Sequence, residues 1–476
     1  MRILFGLLLI ILAPAPLVAQ TTDGLRSQPF VFTHVTVIDA TGASAKPDMT
    51  VVIIGDRITT LGKSRKVRVP ANAQVVDATG KYLIPGLWDM HVHVFRNASQ
   101  RPPNEYYFPL FIANGITGVR DMWTKLDKVA QVELWRKQFT ERPGTVPRFG
   151  AVGTIVDGLP ATWPNSDTVS TADEARRMVD TLKAGGVDFV KVYWNLSREA
   201  YFAIADQTKK QRIPFAGHVP ISVSALEASD AGQRSIEHLD GISLACSTEE
   251  ERLSKIKPSD LPPGKYQQQV FDTYDEQKCA RLFSHFAKNS TWQVPTLSIF
   301  QRFNIDPNTL ANDERLKYIP MAEREEWKRF ITRLEKRTLE QNAQRRLQVA
   351  FKLIGGMRRA GVEFMAGTDL GNEYLYPGFS LHDELVLLVQ AGLTSMEALQ
   401  AATQNPAKFL GRLDSLGTIE KGKIADLVML DANPLEDISN TRRINAVVVN
   451  GRYLPKEALQ RMLAEVEATA NRVKPR

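Results

Sequence analysis

Cysteine occurs twice and histidine seven times among 476 residues, and after residue 12 no apolar run is long enough to cross a bilayer. Two cysteines, Cys246 and Cys279, rule out a scaffold stapled by many disulfides. Neither has a His or Cys at finger-like spacing, so a structural zinc site on them is not expected. The 60 Lys and Arg residues lie among 53 Asp and Glu, so the net charge of +7 arises without a basic block interleaved with aromatics. Nucleic acid is therefore not expected as a partner. The densest charged run, Asp313 to Arg346, mixes signs at helical spacing and reads as a solvated helix face.

What is present bounds the fold. A hydrophobic content of 43% over this length supports one large core and a smaller second unit. The start, Met1 to Leu12, is positive and then apolar, followed by small and helix-breaking residues and Leu17-Val-Ala19. It reads as a cleavable signal over residues 1–19, which implies a secreted or periplasmic protein without a membrane span after cleavage. In such a compartment a Cys246–Cys279 disulfide is allowed and would stabilise by about 3 to 4 kcal/mol; two buried thiols are the alternative.

Short alternating runs, Phe30–Ile38, Met49–Ile54 and Ile58–Leu61, predict strands at the front of the chain. Similar runs return only at Lys423–Leu430 and Ile444–Val449. Residues 20–82 and 412–476 are therefore expected to pair into one discontinuous β-sandwich. Between them, over 83–411, eight strand-like runs alternate with amphipathic stretches. They end near His93, Asp121, Ile155, Tyr193, His218, His238, Ser298 and Asp369. This pattern favours an α/β (β/α)8 barrel, a TIM barrel, whose site gathers at the carboxyl ends of the strands.

His91 and His93 stand two apart near the end of one run, so both rings point the same way. Paired imidazoles suit zinc and its neighbours, although two hydrogen-bonded strand histidines would give the same spacing. His218, His238 and Asp369 close other runs. Lys191, flanked by Val190 and Val192, would bury a charge unless it is paired or modified; a stem that snorkels to the barrel mouth is the alternative.

Taken in order, several motifs are similar to those of the amidohydrolase superfamily. They are Pro85-Gly-Leu-Trp-Asp-Met-His-Val-His93, Gly217-His218, Glu237-His238, Gly367-Thr-Asp369, Ala401-Ala-Thr-Gln-Asn-Pro-Ala407 and Leu416-Gly-Thr-Ile-Glu-Lys-Gly-Lys-Ile-Ala-Asp-Leu427. The resemblance implies two divalent cations, zinc by expectation. His91, His93 and Asp369 would hold the first, and His218 and His238 the second, with an N-carboxylated Lys191 bridging them. It further implies hydrolysis of a small amide by a hydroxide held between the metals. The secreted prolidase-like and dipeptidase-like branch, acting on Xaa-Pro, Xaa-Arg, Xaa-Lys or N-acyl amino acids, looks most similar. Tyr193-Trp194-Asn195 departs from the usual continuation of the fourth strand in that branch, which puts a strict proline preference in doubt. A cyclic-amide hydrolase or a lactonase would use the same metals, and a catalytically silent secreted binding protein is the reading from another class.

Four residues carry candidate catalytic roles. Asp369 would move the proton from attacking water to the leaving nitrogen. Tyr193 shares a face with Lys191, and its hydroxyl would support the developing oxyanion, wall packing being the alternative. Arg120 would pair with a substrate carboxylate, the alternative being an ion pair with Asp121 or a nearby acid. His382, early in the helix after the eighth strand, would reach the pocket edge. His34 and His285 read as structural. A homo-oligomer is left open.

Overall fold

The computed structural model describes residues 28–95, 104–257, 260–335 and 340–472, so the expected signal at 1–19 lies outside the described residues. The chain begins with β1 (Phe30–Val37), β2 (Lys46–Ile54), β3 (Arg57–Lys63), β4 (Gln74–Asp77) and β5 (Tyr82–Pro85). In β1 the inward set runs Phe30 and Phe32, then Val35 and Val37. The change of parity is a bulge at His34, which takes φ +57° and shifts the register against β2 between Phe32 and Val35.

After Gly86 come β6 (Leu87–Val92), β7 (Ile116–Asp121), β8 (Arg148–Asp157), the two-residue β9 (Asp167–Thr168), β10 (Phe189–Val192), β11 (Phe215–Gly217), β12 (Ser235–Glu237) and β13 (Trp292–Val294). The chain then returns through β14 (Leu427–Leu430), β15 (Ile444–Val449) and β16 (Arg452–Pro455) to the first sheet. That sheet is one hydrogen-bonded path, β16-β15-β14-β5-β1-β2-β3, with β4 beside β1. The chain's two ends thus share a sheet, as the alternating runs predict. Its core is Phe32, Val51, Ile53, Leu427, Met429 and their neighbours.

The second sheet is parallel, in the order β6-β7-β8-β10-β11-β12-β13. Its ring is closed by residues 363–370, the predicted eighth strand. The Met365 amide donates to the Gln293 carbonyl at 2.9 Å, and the Met90 amide donates to Ala366 at 2.9 Å. This eighth segment is bridged rather than regular because Gly367 lies flat against β6 and Asp369 turns to φ +58°. A side chain at Gly367 would meet the His91 backbone nitrogen at 2.9 Å and its Cβ at 2.8 Å, so only glycine allows the two strands this close. Helices surround the barrel, and several start at Ser or Thr followed three residues later by Glu. Thr171 with Glu174, Ser224 with Glu227 and Thr394 with Glu397 all close capping boxes.

Cys246 and Cys279 are joined by a disulfide, with Cα atoms 4.8 Å apart. Among the described residues no helix is long and apolar enough to cross a membrane.

Candidate metal centre

The ends of β6, β10, β11 and β12 and of the closing segment converge at the barrel mouth. His91 is fully buried, and its Nδ1 lies 2.8 Å from Glu237 Oε2. An ionised carboxylate only accepts, so Nδ1 carries the proton and Nε2 keeps its lone pair. His238 is held in the same way. Its Nδ1 is 2.7 Å from Thr296 Oγ1, whose own hydrogen is donated to the Pro295 carbonyl. Asp369 Oδ1 is 2.9 Å from His93 Nε2 and 3.3 Å from His91 Nε2, while Oδ2 accepts from Asn372 Nδ2 at 2.8 Å. The ligand atoms of His91, His93 and Asp369 lie within 4.8 Å of one another. On the other side, the His218 and His238 rings are 4.8 Å apart by centroid. Lys191 Nζ stands 3.4 Å from His91 Nε2 and is buried.

Local backbone geometry aims these groups. Asp369 and His238 both take positive φ, +58° and +60°, where the backbone of a strand end turns off its line. Asp89 fastens the two strands that carry His91 and Asp369. Its carboxylate accepts from the His91 amide at 3.2 Å, the Thr368 amide at 3.0 Å and the Thr368 hydroxyl at 2.7 Å.

Electrostatics favour the ligand forms. Burial, with Lys191 adding to it, drives His93 down to about 3; burial also drives His238 to about 3 and His218 well below its ordinary value. Neutral imidazole is the form that binds metal. Burial raises Asp369, but the His91, His238 and His93 imidazoles around it outweigh that and hold the carboxyl well below the usual carboxylate range. Burial lowers Lys191 to about 8 against the opposing pull of Asp369 and Glu237. The donor set fits divalent cations: His93 Nδ1 and His218 Nδ1 are buried without a hydrogen-bond partner, beside the two oriented rings of His91 and His238 and an ionised carboxylate.

The structure brings together all six expected ligands, His91, His93, Lys191, His218, His238 and Asp369, and sets Tyr193 beside them. The Tyr193 ring lies 3.9 Å from that of His218, and its hydroxyl accepts from Trp163 Nε1 at 2.6 Å. Burial raises its pKa, so the phenol keeps a proton to donate into the cavity. That cavity, about 560 Å³, is lined by His93, Lys191, His218, His238 and Asp369 with Trp123 and Trp163.

Two expected roles are corrected. Arg120 does not meet substrate: it is wholly buried inside the barrel, donating to the Met90 carbonyl at 2.6 Å, to Ser235 and to both Glu237 oxygens at 2.9 Å. The alternative, an ion pair with a nearby acid, holds: the partner is Glu237 rather than Asp121, which accepts from Val94, Trp123 and Thr124. His382 is away from the pocket. It is fully buried between Thr441 Oγ1 at 2.9 Å and the Asn114 carbonyl at 3.0 Å, because its helix packs that face against the barrel.

Three contributors escaped the sequence reading. Glu237 links Arg120 to His91, and its signal was an acid directly before a strand-end histidine. Thr296 sets the His238 tautomer. Glu384 accepts from the Leu297 amide at 2.9 Å and the Ser298 amide at 2.7 Å, pinning the turn that carries Thr296.

Residues 309–454 match the family model described as the amidohydrolase family. An ochratoxinase from Aspergillus niger is 37% identical over 98 residues, which is 20% of this chain and 19% of that protein. The chain thus spans about a fifth of the length of that curated relative. Over the whole fold, a Xaa-Pro dipeptidase with bound methionine superposes with TM-score 0.65 at 20% identity, covering 90% of this chain and 100% of the other. A bottromycin amidohydrolase gives TM-score 0.70 at 22% identity, covering 96% and 94%.

Proposed function

We propose that this chain, whose residues 309–454 match the amidohydrolase family model, is a member of the amidohydrolase superfamily and hydrolyses the C–N bond of a small amide, such as a dipeptide or an N-acyl amino acid, with two divalent cations. The observation that carries the reading is the convergence of four histidines, one ionised aspartate and one buried lysine at a single barrel mouth. His91, His93 and Asp369 would hold one cation, and His218 and His238 the other. Lys191 would join both once its amine has added carbon dioxide to become a carbamate. A pKa pulled down toward 8 leaves a share of the amine neutral, which is the form that carboxylates. Zinc suits the nitrogen-rich donors.

When bound, such cations lower the pKa of water and polarise a carbonyl. The protein's own groups do the rest. Asp369, ionised and steadied by Asn372, accepts the proton of attacking water and returns it to the leaving nitrogen. The Tyr193 hydroxyl, its acceptor side taken up by Trp163, donates to the oxygen where charge develops. Glu237 and Thr296 keep His91 and His238 in one tautomer each. The Cys246–Cys279 disulfide agrees with the secreted or periplasmic location proposed from the first 19 residues.

The test is hydrolysis of a dipeptide and N-acyl amino acid library by purified, zinc-loaded protein, before and after chelation. Turnover that disappears with chelator and returns with zinc is expected. Turnover indifferent to chelation, or none on any amide in fully metallated protein, would overturn the proposal.

A further inference from the structure

A second cavity, about 260 Å³, opens beside the first, and the two share Trp194, His238, Asp240, Phe300 and Arg346. Beyond that junction its wall is mostly apolar, with Val219, Val223, Leu244, Val270, Phe271 and Leu353, interrupted by the polar groups of Ser243, Ser254, Tyr266 and Gln267. The space exceeds the roughly 150 Å³ known to hold a benzene ring.

Arg346 stands where the cavities meet, its guanidinium 4.3 Å from the centroid of the Phe300 ring. Among the described residues it makes no hydrogen bond or ion pair. It is exposed to solvent, and the charge of Asp240 acts on it across the junction. A stacked, unpaired guanidinium between a reaction centre and an apolar recess is pre-set for a planar anion. Asp240 is the sole acid lining the side cavity, and its carboxylate is engaged by Trp194 Nε1 at 2.7 Å. The charge of Arg346 also faces that carboxylate, so a basic substrate side chain would compete with a guanidinium for the one acid there.

We propose that Arg346 binds the carboxylate of the leaving amino acid and that the side cavity takes that residue's side chain, selecting aromatic and large aliphatic residues over lysine, arginine or alanine. This rests on the amide-hydrolase reading and gives Arg346 the role that Arg120, buried beneath the centre, cannot fill. The scissile amide then lies between the two cavities, with the acyl part toward Trp123 and Trp163.

The experiment compares N-acetyl-L-phenylalanine, its carboxamide, N-acetyl-L-alanine and Nα-acetyl-L-lysine in the metal-loaded wild type, Arg346→Met and Ser243→Phe, with metal content measured for each. Ser243 is half-exposed on the side-cavity wall, so Phe there fills the space at little risk to folding. Calorimetric binding of 3-phenylpropionate against 3-phenylpropanol supplies a readout independent of turnover.

In Arg346→Met, kcat/KM for N-acetyl-L-phenylalanine should fall about 30-fold more than for its carboxamide, mostly through KM, and the preference for 3-phenylpropionate should vanish. Ser243→Phe should reduce the phenylalanine-to-alanine preference. Equal losses on acid and carboxamide in Arg346→Met, a wild type faster on lysine than phenylalanine, or an unchanged preference in Ser243→Phe would overturn the inference while the observed hydrolysis sustains the function. If the wild type cleaves none of the four, the function fails on these amides. The binding arm then decides the carboxylate site: acid binding lost in Arg346→Met upholds it, and acid binding retained removes it.

Discussion

Single residues at this centre carry several duties, and substitutions separate them. Lys191→Ala removes the group proposed to bridge the cations and leaves a gap open to the cavity. Activity should fall to a few per cent or less, by analogy with the roughly 10²-fold size of single catalytic contributions, and short carboxylic acids such as propionate should restore part of it. Full activity without added acid would remove Lys191 from the site. Glu237 has a structural duty as well, since it neutralises Arg120 where neither side chain reaches water. Glu237→Ala leaves that guanidinium buried and unpaired, and a loss of about 3 to 5 kcal/mol is expected in denaturant unfolding. Replacing Arg120 by Met in the same chain should recover much of the loss. A Glu237→Ala protein as stable as wild type would show that the pair does not hold the barrel interior together.

At the scale of elements, strand ends were more legible than strand interiors. The two-residue repeat put His91 and His93 on one side, and the ordered motifs placed Lys191, His218, His238 and Asp369 at neighbouring ends. Sequence does not show how far a long side chain reaches across the barrel. Arg120 ends β7 as a substrate-binding residue would, yet its side chain runs inward to Ser235 and Glu237 on β12. Arg346 closes a charged run that reads as a solvated face and is exposed as that reading expects, but its contact with Phe300 at the cavity junction has no signal in the sequence. Glu384 was equally hidden, because its partners are backbone amides 86 and 87 residues away. The disulfide acts at this scale too: it joins residues 33 apart in sequence, and the closed segment includes Val270 and Phe271 of the side cavity. Cys246→Ser should lower unfolding free energy by about 3 to 4 kcal/mol through loop-closure entropy. An unfolding midpoint equal to that of oxidised wild type would show the bridge to be without weight.

The whole molecule joins a barrel to a sheet made from both chain ends, so the mouth is set by contacts spanning most of the sequence. The Arg148 guanidinium reaches Asp426 at 2.9 Å, and the Gly86 amide donates to the Asp426 carbonyl at 2.7 Å, tying the barrel to the returning strands. The fold class was legible because strand count and the pairing of the two ends both follow from alternation. The irregular eighth strand was legible only as a run, since its geometry depends on how closely Gly367 approaches β6. The central claim is that this mouth holds two cations through six side chains. Elemental analysis should therefore be run on protein reconstituted with zinc and bicarbonate, with amide turnover measured on the same preparation. The account predicts about two metal ions per chain in active protein. A reproducible value of one or less in protein that turns over at full rate would contradict it.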